Sequence, residues 1–290
     1  RVLSRVLLLE DGPARVRIAQ EGDDGSAAWR TLRGRGLVAG VDRTLSRRER
    51  EEARGQIARM LRLDEDAAHV REFHRLDPRW KRSGRGRLFR SPTMFEDVIK
   101  TVTSCNVQWP STVTMNRRLC EVVGEGGAFP SAGRLARTRT QTLRARCRTG
   151  YRDARIVELG RLFSPRGRRG AEMDPAWFED PGTSDEDVRR ALLDLPGIGP
   201  YAAANILQLL GRYAHLPLDT ESVRHGRTVL GLEGTDAQVM RRVGAHFEGF
   251  GPHKFRSYWF ELWSFYEAKR GRADTWDRET TGATFTASQF

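Results

Sequence analysis

Leu195-Pro196-Gly197-Ile198-Gly199, followed by Pro200 and, twenty positions beyond Gly199, by Asp219, constrains this chain more than any other stretch. Gly197 and Gly199 bracket a tight turn between two helices. The first helix opens with the cap Thr183-Ser184 and the acids Asp185, Glu186 and Asp187, which suit the positive end of its dipole. The second starts at Pro200, a residue tolerated in a first helical turn, and runs to about Tyr213. Glycine admits positive φ and lets another backbone come close. The N–H groups around Gly199 have no acceptor inside the helix they begin. They lie at the positive end of its dipole, which suits an anion such as a phosphate oxygen. Ala202, Ala203 and Ala204 let the two helices approach. An ordinary helical hairpin with a glycine cap has the same local pattern. Asp219, between Leu216-Pro217-Leu218 and Thr220-Glu221-Ser222-Val223, reads as the N-cap of a helix starting at Thr220. It reads equally as a carboxylate held ionised and fixed in direction, as a site facing a sugar cation requires. The two readings are compatible.

Fifty Lys and Arg residues against thirty-eight Asp and Glu give a net charge of +12 over 290 residues. A polyanionic partner is the first reading of that balance, and a genome that favours arginine is the alternative. Only Lys81, Lys100, Lys254 and Lys269 are lysines. Twelve arginines and no lysine fall between Arg134 and Arg169. This run reads either as a solvated face or as a phosphate-facing surface. No run of eighteen apolar residues could span a membrane, and no apolar leader opens the chain. A trimmed cytoplasmic, nucleoid-associated bacterial protein is therefore expected rather than a secreted one. Cys105, Cys120 and Cys147 are widely spaced and form no zinc or iron–sulfur pattern, so buried free thiols are expected.

Along the chain, Val6–Leu9 and Ala14–Ile18 flank the turn dipeptide Asp11-Gly12, and Leu37-Val38 offers another strand. Ser46-x-x-Glu49 is a capping box that opens a helix with Ile57, Met60 and Leu61 on one face. Asp64 is expected to cap the next helix. Residues 81–91 are basic and glycine-interrupted, as a linker or crossover would be. From Pro92 the spacing is helical, first at Phe95, Val98, Ile99 and Val102, then from Val113 to Val123 with Met115, Leu119 and Val122 inward. Ser164–Gly170 reads as a flexible loop. Phe255, Trp259, Leu262, Trp263 and Tyr266 form an aromatic stripe expected in a core.

Leu195-Pro-Gly-Ile-Gly-Pro-Tyr-Ala-Ala-Ala-Asn-Ile-Leu207 with Leu216-Pro-Leu-Asp219 resembles the helix-hairpin-helix/Gly-Pro-Asp superfamily of DNA glycosylases. Phe95-Glu96, Ser104-Cys105-Asn106, Leu119-Cys120 and Gly150-Tyr-Arg-Asp-Ala-Arg155 resemble its 8-oxoguanine branch. Residues 1–88 are similar in outline to the small, TATA-binding-protein-like β domain shared with the 3-methyladenine glycosylase II branch. The fold so implied is mainly α, with that N-terminal α+β domain, a two-lobed helical core over 89–270 and a polar tail over 271–290.

The resemblance also implies roles. Asp219 matches the catalytic aspartate, and Gly197 and Gly199, with Ile198 between them and Tyr201 beyond, match the phosphate-holding hairpin. Tyr151 and Arg152 match residues that push into the base stack and contact the base left unpaired. Asn106 matches a residue filling the same minor-groove gap. Gln108 and Trp109 lie beside it and could wedge into the duplex, although Trp109 suits a core as well. Without the resemblance, Tyr151 and Arg152 would be a turn aromatic and a surface arginine. In bifunctional members a lysine stands where this chain has Tyr201, and Lys100 and Lys254 are remote from that place. A monofunctional hydrolase is therefore implied, acting as a monomer on double-stranded DNA with a damaged base. It requires no cofactor, lacks the four-cysteine cluster of other branches, and has room for a structural monovalent cation at the hairpin. No second carboxylate stands out as a general acid, which suits an alkylated, cationic purine. 8-Oxoguanine, hypoxanthine and uracil remain open, as do a non-catalytic damage sensor and a general DNA-binding protein.

Overall fold

The computed structural model describes residues 2–21, 30–34, 36–165 and 171–277. The chain is mainly helical, with one small antiparallel sheet near its start. Strands β1 (Leu3–Leu9), β2 (Gly12–Gln20), β3 (Arg30–Gly34) and β4 (Leu37–Val41) lie in the order β1-β2-β4-β3. Leu9 pairs with Gly12, so the hairpin turn is Glu10-Asp11, one residue earlier than expected. The alternation of β1, β2 and β4 puts Leu7, Leu9, Ala14, Val16, Ile18, Ala39 and Val41 in one cluster with Ala53, Ile57 and Met60. The last three come from the helix Arg47–Met60, which begins at the expected capping box: Glu49 N donates to Ser46 Oγ and Ser46 N to Glu49 Oε2. β3 was not expected from the sequence.

The chain divides into two compact units, neither of them continuous. One comprises residues 1–63, 90–99 and 114–174; the other comprises 64–89, 100–113 and 175–290. The contacts divide within one residue of the boundary expected at residue 88, and they divide also after residues 63, 99, 113 and 174. Residues 64–89 join the second unit because Phe73, Trp80 and Leu88 are buried with Tyr213, Phe255 and Phe260. Asp66, not Asp64, caps the helix Ala67–Leu76 that carries Phe73.

Within the first unit, Met115 and Leu119 point inward as the helical spacing requires. Val123 is buried in place of Val122. The chain widens there into a π turn over Leu119–Val123, in which Gly124 N reaches Leu119 O at 2.8 Å, and one added residue per turn rotates the inward position forward. In the second unit the helix Lys254–Arg270 buries Phe255, Leu262 and Tyr266 of the expected stripe and half-buries Trp259 and Trp263. Phe260, Tyr258 and Arg256 are buried on it too.

Cys105 and Cys120 are half-buried free thiols, and Cys147 is a buried one. Among the described residues, no helix is long and apolar enough to cross a membrane. The loop expected at Ser164–Gly170 and the tail expected at 271–290 lie largely outside the described residues. So do Arg166, Arg168 and Arg169.

Candidate active site and nucleic-acid interface

The hairpin forms between the helices Asp185–Leu193 and Pro200–Leu210. Ser184 caps the first, its Oγ accepting from Asp187 N at 3.1 Å. Arg212 ties that helix start down, with Nη1 2.6 Å from Asp185 Oδ1 and 2.7 Å from Thr183 O. Gly211, with φ 96°, ends the second helix slightly before the expected Tyr213. Leu195 and Ile198 are buried under the turn. Ile198 is 5% exposed and its N–H donates to Leu195 O at 3.1 Å, so neither its side chain nor its amide faces outward. Among the hairpin residues, Ile198 anchors the turn.

The two glycines differ in what they do. Gly197 has φ 80°, a left-handed conformation that disfavours any side chain. Gly199 has φ −97° and ψ −177°, open to any residue, and a Cβ placed there would meet nothing within 4 Å. Nothing inside the protein requires a glycine at 199. The amides of Gly199, Tyr201 and Ala202 precede the first intrahelical bond, from Ala203 N to Gly199 O at 2.9 Å, and are left to an external acceptor. Gly199→Ala is therefore expected to leave the thermal midpoint unchanged and weaken duplex affinity about tenfold, the worth of one hydrogen bond to a charged group. Gly197→Ala should instead cost about 1–2 kcal/mol of stability by forcing positive φ on a side chain. Paired melting and titration measurements distinguish the two.

Asp219 caps the helix Thr220–Thr228. Its Oδ1 accepts from Glu221 N at 2.9 Å and from Ser222 N at 3.1 Å, while Asp219 N donates to Ser222 Oγ at 3.2 Å. This reciprocal cap fixes the carboxylate plane. The Tyr201 hydroxyl, from the first turn after the hairpin, is directed at the same carboxylate as a hydrogen-bond donor. Burial pushes the Asp219 carboxyl above the ordinary aspartate range, against the opposing pull of the Ser222, Tyr201 and Glu221 hydrogen bonds. Burial, and then the Asp219 charge, push the Tyr201 phenol up, so it keeps its proton at neutral pH. Tyr201 thus joins the hairpin to the carboxylate, with its amide on one and its hydroxyl on the other. Glu221, the nearest other acid, is taken by Arg224 and by the Tyr266 hydroxyl. Deeper in, His225 Nε2 lies 2.9 Å from Glu261 Oε1, and Glu261 pairs with Arg79, which in turn pairs with Asp77. That chain, buried at His225 and Asp77, pins the helix carrying the Asp219 cap.

Asn106 lies in the turn between the helices Met94–Ser104 and Trp109–Arg118, with φ 53°. Thr103 and Ser104 bond back to the carbonyls of Lys100 and Thr101, both at 2.8 Å, and end the first helix there. Asn106, Gln108 and Trp109 are exposed, Trp109 at 51%, which removes the core reading for this tryptophan. Cys105, next to Asn106, is close enough to Tyr201 to act on its titration. Hence Asn106, Gln108, Trp109, the hairpin and Asp219 all belong to one unit.

Tyr151 and Arg152 belong to the other unit, in the single turn Gly150–Arg152. Tyr151 is 53% exposed. Arg152 is 4% exposed, and its guanidinium carbon sits 4.4 Å from the centre of the Tyr151 ring. It supports the tyrosine and does not project into solvent. The exposed cation beside Tyr151 is Arg155, 5.3 Å from the ring centre. Arg155 stands at i+4 from Tyr151, a spacing that could have marked it. Of the other described arginines in the 134–169 run, Arg134, Arg137, Arg139, Arg144, Arg146, Arg148 and Arg161 are exposed. Ser222 was also legible, since Asp219-x-x-Ser222 has the form of a reciprocal cap.

No protein-family model matches the sequence, and no curated protein matches it. In structure the chain is similar to a 3-methyladenine DNA-glycosylase from Archaeoglobus fulgidus, at 20% identity and a TM-score of 0.64, over 92% of this chain and 87% of that one. It is similar to the Clostridium acetobutylicum 8-oxoguanine glycosylase/lyase in its apo form, at 17% identity and a TM-score of 0.58, over 90% and 88%. The same enzyme in complex with double-stranded DNA containing cytosine opposite 8-oxoguanine matches at 18% identity and a TM-score of 0.57, over 92% and 89%. With Leu195–Gly199 forming the hairpin and Asp219 capping the helix beyond it, these likenesses identify the fold as that of the helix-hairpin-helix/Gly-Pro-Asp DNA glycosylases.

Proposed function

We propose that this chain is a DNA glycosylase that hydrolyses the bond between a damaged purine and its deoxyribose, with Asp219 as its catalytic carboxylate. The observation that carries the reading is the state of Asp219. It is fixed by a reciprocal cap, half-buried, and beside a turn whose outward amides lack partners in their own helix. A base stacked in a duplex is out of reach, so the nucleotide must first be flipped at a cost of about a few kcal/mol. The exposed Trp109 and Asn106, in the unit that carries Asp219, are suited to fill the gap and offset that cost. The hairpin amides of Gly199 and Tyr201 would hold a backbone phosphate. As the C1′–N bond breaks, its electron pair leaves with the base and positive charge grows on the sugar. Ionised Asp219 stabilises that cation, orients a water toward C1′ and takes the proton the water releases.

An alkylated purine is the favoured substrate class. Such a base already carries positive charge and departs neutral, so it needs no general acid. Glu221, the nearest second carboxylate, is committed to Arg224 and Tyr266 and supplies none. No step requires a cofactor. Tyr201 stands where a lysine would be needed to form a Schiff base, so the reaction should stop at the abasic site.

The test is a release assay over duplexes carrying 3-methyladenine, 7-methylguanine, 8-oxoguanine, hypoxanthine or uracil, with the free base identified by mass. Release of a methylated purine, with no borohydride-trapped protein–DNA adduct, is expected. Release of 8-oxoguanine alone would move the substrate to the class that the Asn106 and Tyr151 matches favour. A robust adduct would show an amine acting in place of water. Binding without release of any base would leave a damage-sensing protein. Equal affinity for damaged and intact duplex, lost steeply with salt, would leave only charge-driven DNA binding.

A further inference from the structure

We propose that Tyr258 is a positioning residue that acts on Asp219 through Ser222. The proposal rests on the reading of Asp219 as the catalytic carboxylate. Tyr258 lies on the helix Lys254–Arg270 and is 3% exposed. Its hydroxyl is 2.9 Å from Ser222 Oγ, and Ser222 is fully buried. Ser222 Oγ is also 3.2 Å from Asp219 N and 3.5 Å from Asp219 Oδ1.

The direction of these bonds follows from counting protons. A serine hydroxyl has one proton and two acceptor positions, and a phenol likewise has one proton to place. A buried hydroxyl proton left without an acceptor is costly. Were Ser222 to donate to Tyr258, the phenol proton would need another acceptor, and among the described residues Ser222 Oγ is the partner found for it. The opposite polarity leaves no proton idle. Tyr258 O–H and Asp219 N–H both donate to Ser222 Oγ, and the Ser222 proton is thereby committed to Asp219 Oδ1. Oδ1 then accepts from two backbone amides and one hydroxyl. The plane of the carboxylate is thereby set. Glu221 and Tyr201 also act on this carboxylate.

The Tyr258 ring is held independently of its hydroxyl. It packs edge-on against Phe247, centroids 5.4 Å apart, and against His225, 5.8 Å apart. Tyr258→Phe therefore removes the relay and keeps the packing.

The experiment uses the full chain and four forms: wild type, Tyr258→Phe, Ser222→Ala and the double variant. Asp219 is titrated by carboxyl carbon NMR, and single-turnover base release is measured across pH on the duplex the wild type processes. Tyr258→Phe is expected to raise the Asp219 pKa and move the acid limb of the rate profile upward with it. On that limb the rate should fall about threefold to tenfold, with duplex affinity unchanged. In the Ser222→Ala background the same substitution should change nothing further. An Asp219 titration unmoved by Tyr258→Phe, or moved equally with Ser222 absent, would overturn the relay. A relay seen by NMR in a protein that releases no base would stand, and would overturn the glycosylase reading instead.

Discussion

Asp219→Asn is expected to lower the single-turnover rate of base release by about a hundredfold to a thousandfold, the usual worth of one preorganised electrostatic group in a hydrolytic site. Duplex affinity should stay within about threefold, because the hairpin amides are untouched. Stability should not fall, and there are two reasons. Asparagine caps a helix as well as aspartate does, so the Glu221 and Ser222 amides keep an acceptor. The second reason is electrostatic. Burial holds the folded-state pKa of Asp219 above its unfolded value. A carboxyl shifted in that direction favours folding only while protonated, and that contribution is lost as pH rises through the folded pKa. Ionised Asp219 therefore costs stability at neutral pH, and the amide removes the cost. The thermal midpoint at pH 7 should be equal to or above that of the wild type, with the difference vanishing below the ordinary aspartate pKa. Activity has the opposite dependence, because the reaction needs the ionised form: the rate should fall as pH drops through the raised Asp219 pKa. A variant that loses stability and rate together would make Asp219 a structural cap only.

Arg256→Met is expected to destabilise the fold by about 3–5 kcal/mol, the cost of leaving one member of a buried ion pair unpartnered. For a chain of this size that is a fall in thermal midpoint of about 5–8 °C. Arg256 is 0% exposed. Its guanidinium pairs with Glu65, donates to His69 O at 3.3 Å, and lies over the Tyr213 ring at 3.9 Å. It holds the segment around the helix Ala67–Leu76 against the helix that presents Tyr258. Replacing Glu65 by leucine in the same chain should restore most of the loss, since the cost comes from an uncompensated charge rather than from a missing attraction. Thermal melts of the two single variants and the pair measure this directly. A pair no more stable than Arg256→Met would show that the guanidinium contributes through its ring and carbonyl contacts instead.

How much was legible follows from range. The reciprocal Ser46/Glu49 cap, the first strand pair and the hairpin are local, set by residues within a few positions of one another, and they formed as the sequence implied. The same holds for Asp219 as an N-cap. Small local choices still shifted by one or two residues. Asp66 outcompeted Asp64 as a cap, and a π turn moved the inward position from Val122 to Val123. Each pair offers the backbone two nearly equivalent solutions, and packing selects one.

What the sequence by itself determined is the chemistry at hand: a glycine turn with outward amides, an aspartate at the next helix start, and no amine at position 201. These depend on hydrogen bonds and dihedrals within a few residues. Only the tertiary structure decided which groups act on that aspartate and which face the outside. Arg152 turned inward under Tyr151, leaving Arg155 as the exposed cation, and Trp109 turned out although its composition suited a core. Tyr258 reached Ser222 from a helix thirty-six residues further along the chain. No periodicity or cap rule encodes such a contact, because it arises where two buried helix faces close and each hydroxyl must find a partner.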